Sequence, residues 1–295
     1  MKHVLNLFFI LFFGVLSSQN EFDKYGPLGS RVYTDLKEAL KINAGVYKMD
    51  LSYKTLDPKS YEKLSTLKDL QVLKLSGNMV TDFPKNIGDL YNLVYFASYN
   101  NPFTGLPSDF KKLVNLYHLE LSHTKMDSIP ACIAFNSKLK TIKFTDTEDT
   151  LKLPETLKYL KYLEDFQVEN CIMDSFPRQI FKVQSLKFLY LAKTNTHFVS
   201  GHFERLPNLE ILILENNPIT SIPVTIYKAK KLRVISLRNN QLTKLPSSIS
   251  QMENLALLDL RGNPMSKEYI EELRAMLPGC EVKFWFRFLF YILVK

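Results

Sequence analysis

A fixed period of 23 residues governs the middle of this chain. Apolar–proline pairs stand at Phe83-Pro84, Leu106-Pro107, Ile129-Pro130, Leu153-Pro154, Phe176-Pro177, Ile222-Pro223 and Leu245-Pro246, at intervals of 23, 23, 24, 23, 46 and 23 residues. The interval of 46 is one repeat in which the proline is missing. Self-similarity at such a period marks an array of equal structural units, and it has to be settled before any local structure is assigned.

Each pair is preceded by a second pattern. Leu70-x-x-Leu73-x-Leu75-x-x-Asn78 returns at Leu209 to Asn217, with Leu212 and Leu214 inside it. It returns again at Leu232 to Asn240, with Ile235 and Leu237, and at Leu255 to Asn263, with Leu258 and Leu260. Apolar residues at i, i+3 and i+5 do not follow a helical stripe, whereas the i+3/i+5 pair alternates about one outward residue as a short strand does. The Asn ends the strand, and its amide can bond the backbone of the turn it occupies. Stacked once per coil, such amides satisfy turn backbone that water does not reach. Proline fits the opposite, convex side, where the chain turns back without ladder bonds. One coil cannot bury its leucines alone, so neighbours must stack into a quasi-one-dimensional solenoid.

The unit L-x-x-L-x-L-x-x-N-x-L-x-x-L-P resembles the 23-residue leucine-rich repeat, of the bacterial type also seen in Ras-group-related repeat proteins. The resemblance implies an α/β solenoid: a horseshoe with a concave parallel β-sheet, about ten coils and a cap at each end. Strand starts fall at Val46, Leu70, Leu93, Leu116, Leu139, Leu163, Leu186, Leu209, Leu232 and Leu255. The Asn position holds Asn78, Asn101, Thr124, Thr147, Cys171, Thr194, Asn217, Asn240 and Asn263, so Cys171 is expected to be a ladder residue rather than a reactive thiol. Lys54 departs from the pattern, Ser98 replaces an inward leucine, and Thr194 to Arg205 loses the Leu-Pro signature, which questions regular curvature there. Tyr33 to Leu40 reads as an amphipathic helix closing one end. Ser266 is placed to N-cap a helix running to Leu277, before a last strand at Glu281 to Phe284.

The two ends are apolar. Lys2, the 13-residue stretch Val4–Leu16 and the polar exit Ser17 to Asn20 form a secretory signal pattern, with an uncleaved membrane anchor as the other reading. Residues 284–295 hold ten apolar residues broken only by Arg287 and Lys295. Such a tail is too short to span a bilayer as a helix, and it is an aggregation hazard as an uncovered strand. It can plug the core edge or act as a peg for a membrane surface or a partner. The expected organisation is a signal peptide at 1–19, an N-terminal cap at 20–45, repeats at 46–265, a C-terminal cap at 266–284 and the tail at 285–295. Export, to the cell surface, periplasm or medium, follows from the first segment.

Composition narrows the function. The net charge is +8, from 38 Lys and Arg against 30 acids, but the cations are scattered without a run of five, so nucleic acid is not an expected partner. Three cysteines at 132, 171 and 280 are too few and too scattered for a disulfide scaffold, and core thiols account for them. His118, Glu120 and His123 share a coil and carry zinc-ligand chemistry, but at a spacing common by chance, so neither a metal nor any other cofactor is expected. No hydrolase, phosphate-loop or metalloprotease motif is present, and enzyme activity is not expected.

Strand alternation assigns the concave surface. Its N-terminal half is mixed: Lys48, Asp50, Lys74, Tyr95, Tyr99, His118, Glu120, Lys143, Asp165, Gln167 and Glu169. Its C-terminal half turns apolar at Phe188, Tyr190, Ile211, Ile213, Val234 and Leu257, flanked by Glu215, Arg238, Asp259 and Arg261. Apolar surface with a charged rim predicts a protein partner, or a glycan-bearing surface, bound there without catalysis. The alternative function is an envelope-associated structural or adhesive protein held by residues 285–295, which would contact membrane.

Overall fold

The computed structural model describes residues 20–147, 150–173 and 175–284. The signal segment at 1–19 and the tail at 285–295 therefore lie outside the described residues. Among those described, no helix is long and apolar enough to cross a membrane. Twelve parallel strands form one open sheet in strict chain order. They are β1 (Val32–Tyr33), β2 (Lys48–Asp50), β3 (Val72–Lys74), β4 (Tyr95–Tyr99), β5 (His118–Ser122) and β6 (Thr141–Thr145), followed by β7 (Asp165–Glu169), β8 (Phe188–Ala192), β9 (Ile211–Ile213), β10 (Val234–Ser236), β11 (Leu257–Asp259) and β12 (Glu281–Lys283). The sheet lines the inside of a horseshoe, as the resemblance implies.

Each coil runs from its strand, through a turn, to a 3-10 segment on the convex side, and back. Six of those segments open on proline, at Pro107, Pro130, Pro154, Pro177, Pro223 and Pro246. Proline suits this place because its fixed φ enters the turn, and no ladder bond is lost with its missing N–H. Between strand and convex side lies one continuous core, with Leu73, Leu119, Leu189, Leu212 and Leu258 fully buried in one layer and Leu121, Leu191 and Leu214 in the next. Cys132 packs against this core, Cys171 is inside it, and all three cysteines are free.

The asparagine ladder closes the turns. The amide of Asn217 donates to Leu191 O at 2.8 Å, and its oxygen accepts the backbone N–H groups of Thr194 at 2.8 Å and Thr196 at 3.3 Å. Asn101, Asn240 and Asn263 reach the carbonyl one coil back in the same way, at 2.6, 2.8 and 2.8 Å. Cys171 occupies the ladder position, with its thiol 3.2 Å from Glu169 O. The residue just before this position takes positive φ in every coil, at Tyr53, Gly77, Asn100, His123, Asp146, Asn170, Lys193, Asn216, Asn239 and Gly262. That left-handed residue reverses the chain at the end of each strand. At Gly262 (φ 76°), a Cβ would stand 2.1 Å from Asn239 Oδ1.

The irregular coils keep their register. Ser98 is buried, and its hydroxyl donates to Leu75 O at 2.6 Å while accepting from the Asn101 amide at 2.8 Å, so the missing leucine is replaced by a satisfied polar group. The coil without Leu-Pro shortens its 3-10 segment to Phe203–Arg205, and β8 still pairs β9 from Phe188–Ile211 to Tyr190–Ile213.

Among the described residues four α-helices accompany the sheet: α1 (Asn20–Tyr25), α2 (Leu36–Ile42), α3 (Pro58–Glu62) and α4 (Lys267–Met276). Tyr33 belongs to a strand rather than to the expected cap helix. The Asp35 carboxylate accepts the Glu38 N–H, which fixes the helix start after it and leaves Val32 and Tyr33 free to pair with β2. Ser266 caps α4 as expected, accepting from Tyr269 N.

Two outcomes follow. Asn217→Ala lowers stability by about 2–4 kcal/mol, because it orphans buried groups on two coils. Asn78→Ala, at a half-exposed position, costs less; urea unfolding midpoints compare the two. Gly262→Ala lowers the melting temperature through its left-handed backbone and its clash with Asn239. Gly105→Ala, which meets nothing within 4 Å, does so much less.

Candidate functional site

The register defines three rows of side chains on the concave face. The first runs Lys48, Val72, Tyr95, His118, Thr141, Asp165, Phe188, Ile211, Val234, Leu257. The second runs Asp50, Lys74, Ala97, Glu120, Lys143, Gln167, Tyr190, Ile213, Ser236, Asp259. The third includes Tyr99, Ser122, Thr145, Glu169 and Ala192. Strands about 4.8 Å apart put each side chain in van der Waals reach of its neighbours along a row.

All six apolar residues assigned to the C-terminal half come together. Ile211, Ile213, Val234 and Leu257 form a cluster of their own, distinct from the core, with Phe188 and Tyr190 packed against it. The rings of Phe188 and Tyr190 lie 6.3 Å apart and near-parallel. Their exposure differs from expectation: Ile211 and Ile213 are 8% exposed, Val234 4% and Leu257 1%. Side chains on the inside of a curved sheet converge, so aliphatic groups there shield one another. The contact surface of the cluster therefore rests on the half-buried Phe188 and Tyr190 rings.

The flanking charges are partly engaged already. The Arg261 guanidinium grips Asp259, with Nε 2.8 and 2.9 Å from the two carboxylate oxygens and Nη2 closing the fork. Glu215 accepts from the Ser236 hydroxyl at 2.5 Å. Arg238 is half-buried beside them. Burial raises the Tyr190 phenol above its ordinary range, and the charges of Glu169 and Glu215 push it the same way.

The centre of the face is polar, with Glu120 paired inside the protein. Lys143 Nζ lies 2.6 Å from Glu120 Oε1, and His118 Nε2 lies 3.6 Å from Glu120 Oε2. Burial works against ionising Glu120, but the neighbouring His118 and the charge of Lys143 outweigh it and bring its pKa down to about 2. Asp165 goes the other way: burial carries its pKa up to about 6, against the opposing pull of hydrogen bonds from Gln167 and the charges of His118, Lys143 and Lys24. His123 does not join this group; it sits on the turn, with Nδ1 2.8 Å from the Ser122 hydroxyl and 3.6 Å from Asp146. Among the described residues no three His, Cys, Asp or Glu side chains are arranged to hold a metal ion.

Sequence reasoning missed the contribution of α1. Phe22 packs on Val72, Tyr95 and Ala97, in the N-terminal half of the face. The available signal was two aromatic residues one helical turn apart, Phe22 and Tyr25, just before Gly26-Pro27.

A leucine rich repeat family model matches residues 207–265. The chain is similar to the volume-regulated anion channel subunit LRRC8D of Rattus norvegicus, 28% identical over 153 residues, which is 50% of this chain and 17% of that protein. It spans less than a quarter of the length of the first curated relatives it matches. Among solved structures, the TLR13–ssRNA13 complex superposes with TM-score 0.70 at 24% identity, over 85% of this chain and 38% of the other. An internalin from Listeria monocytogenes superposes with TM-score 0.53 at 15% identity, over 84% and 88%.

A pH experiment isolates the polar centre. Asp165 has its pKa raised from 3.8 to about 6, so the folded state binds its proton more tightly and its contribution is lost as pH rises through that window. Asp165→Asn therefore stabilises the protein by about 1–3 kcal/mol above pH 6 and changes little below pH 4. Glu120, with its pKa lowered from 4.5 to about 2, contributes stability above 4.5 that is lost as pH falls through 2. Thermal melts of Asp165→Asn and the unaltered protein from pH 3 to 8 check the divergence.

Proposed function

We propose that this chain, a leucine-rich repeat protein, binds a protein partner on the concave face of β8–β11 and performs no catalysis there. Such solenoids are protein-interaction modules in general. The observation that carries the reading is the Phe188–Leu257 cluster, an apolar group on the sheet face that is not part of the core. Core residues are spent on stacking coils; a second cluster on the other side of the sheet is not needed for that. Burying the Phe188 and Tyr190 rings supplies the driving force, because aromatic anchors with a polar surround carry most of the energy at protein interfaces. Arg238 and Glu215 at the edge set orientation and steer approach. The Asp259–Arg261 fork already fixes side chains at the C-terminal rim of the face, so little side-chain freedom is lost on binding.

A photo-crosslinking side chain placed at Tyr190 in the native host, against one at the exposed convex Val224, checks the assignment. Expected is a discrete protein adduct at position 190 only, lost when Phe188→Ala and Arg238→Glu are added. Equal adducts at both positions, or an adduct that survives those changes, would sink the concave-face assignment.

A further inference from the structure

The N-terminal half of the concave face carries Lys48, Lys74, Val72, Tyr95 and Ala97. Lysine ordinarily stays in water, yet Lys48 is 1% exposed here, and Val72 and Tyr95 beside it are 0%. The described residues that close over it include α1. Phe22 packs on Val72, Tyr95 and Ala97, and the Lys74 ammonium sits 4.8 Å from the centre of the Phe22 ring. The Asp23 carboxylate lies 3.8 Å from Lys48 Nζ. The Tyr25 ring stacks on Tyr95 with centroids 5.0 Å apart, and meets Tyr117 at 6.0 Å and His118 at 5.8 Å. The segment leaves the face at Gly26, where a Cβ would stand 2.5 Å from Lys48 Cε.

These contacts have the chemistry of a bound ligand rather than of a cap. An end cap covers the open edge of the first coil, as α2 does next to β1. In contrast, α1 reaches Tyr117 and His118 at β5, several coils inward. A helix of six residues cannot hold itself in water, so its conformation depends on the face beneath it. Ring, carboxylate and ring each meet a matched group: an apolar and cationic seat, an ammonium and an aromatic stack.

We propose that the concave face of β2–β5 is a binding site for a protein segment carrying an aromatic residue, an adjacent carboxylate and a second ring three residues on. Residues 22–25 fill it in cis, and a partner segment of the same chemistry displaces them. The tether holds the cis segment at high effective concentration, so an external segment binds weakly until the cis rings are removed. The site is separate from the Phe188–Leu257 cluster and does not depend on its role.

The test uses a fluorescent peptide with the sequence of residues 20–30 and the full chain, followed by polarisation. The peptide binds the Phe22→Ala/Tyr25→Ala protein at least about tenfold more tightly than the unaltered protein. Adding Lys74→Glu to that variant weakens the complex again, and a peptide lacking both rings binds neither protein. Equal affinity for the two proteins, undiminished binding of the ringless peptide, or no binding to a double variant that melts cooperatively would each overturn the proposal. Should the double variant fail to fold, amide exchange on the unaltered chain decides the matter. Excess unlabelled peptide speeds exchange over residues 20–25 if it competes for the site; unchanged exchange at saturating peptide refutes it.

Discussion

The structure depends on the residue that closes each turn beside its neighbouring coil, most clearly the buried amides of Asn101, Asn217, Asn240 and Asn263. A strand that ends inside a stack must turn with its backbone groups out of reach of water, and an unpaired buried group costs about 1–3 kcal/mol. The ladder residue meets that cost by facing both ways. Asn240 donates to Leu214 O in the coil before it and accepts Ile219 N from the turn of that coil. Asn263 repeats the arrangement on Leu237 O and Leu242 N. The bonds run between coils, so they set the stacking distance as well as closing the turn. Once that distance equals the strand spacing, parallel pairing and the leucine core follow together. The left-handed residue just before the ladder is the geometric condition for the turn, and half of these positions hold Asn or Asp, whose short polar side chains tolerate that conformation.

The same logic explains what the sequence discloses. Leucine and proline positions are visible because burial and the fixed proline φ leave little choice of residue, so a period of 23 survives in plain letters. The positive-φ positions are less visible, since Tyr53, His123 and Lys193 occupy them beside glycine and asparagine. A second amide row went unread for a different reason. Asn92, Asn115, Asn208 and Asn254 each donate to a backbone carbonyl 24 residues earlier, but these residues look like ordinary surface polar groups. Tyr33 fell inside an apparent helical stripe and pairs as a strand, because a neighbouring carboxylate decides where the helix begins. The six apolar residues assigned to the partner site do gather in one cluster, whereas their exposure depends on crowding across the sheet, which no single strand encodes.

The concave face is where the repeat constraint relaxes. Core positions must be apolar and of similar size in every coil; the outward rows need only avoid clashing with their neighbours. The result is a face whose character changes along the solenoid. At the centre, Glu120 is shared between Lys143 and His118, so its charge is satisfied within the protein, while Asp165 is bonded by Gln167 and burial disfavours its charge. A surface already neutralised has little to gain from a charged partner, because new pairs must first break existing ones. Towards β8–β11 the rows become apolar, and there burial of a partner's apolar surface breaks no polar contact. On the proposed reading, the face therefore binds at its two flanks rather than across the middle.

That division follows from the geometry of a stiff stack. Each coil contacts only its neighbours, so the solenoid cannot reshape one region of the face to suit another. A ligand has to match rows spaced by about 4.8 Å as they stand. Aromatic rings suit such rows, because one ring covers side chains on adjacent strands and few rotamers are lost in placing it. Tyr25 shows the principle within the chain, lying against Tyr95 and His118 from neighbouring strands at once. Phe188 and Tyr190 present the complementary case, with rings supplied by the sheet itself. The rigidity that restricts what can bind also makes binding efficient, since rows held by the amide ladder enter a complex already ordered.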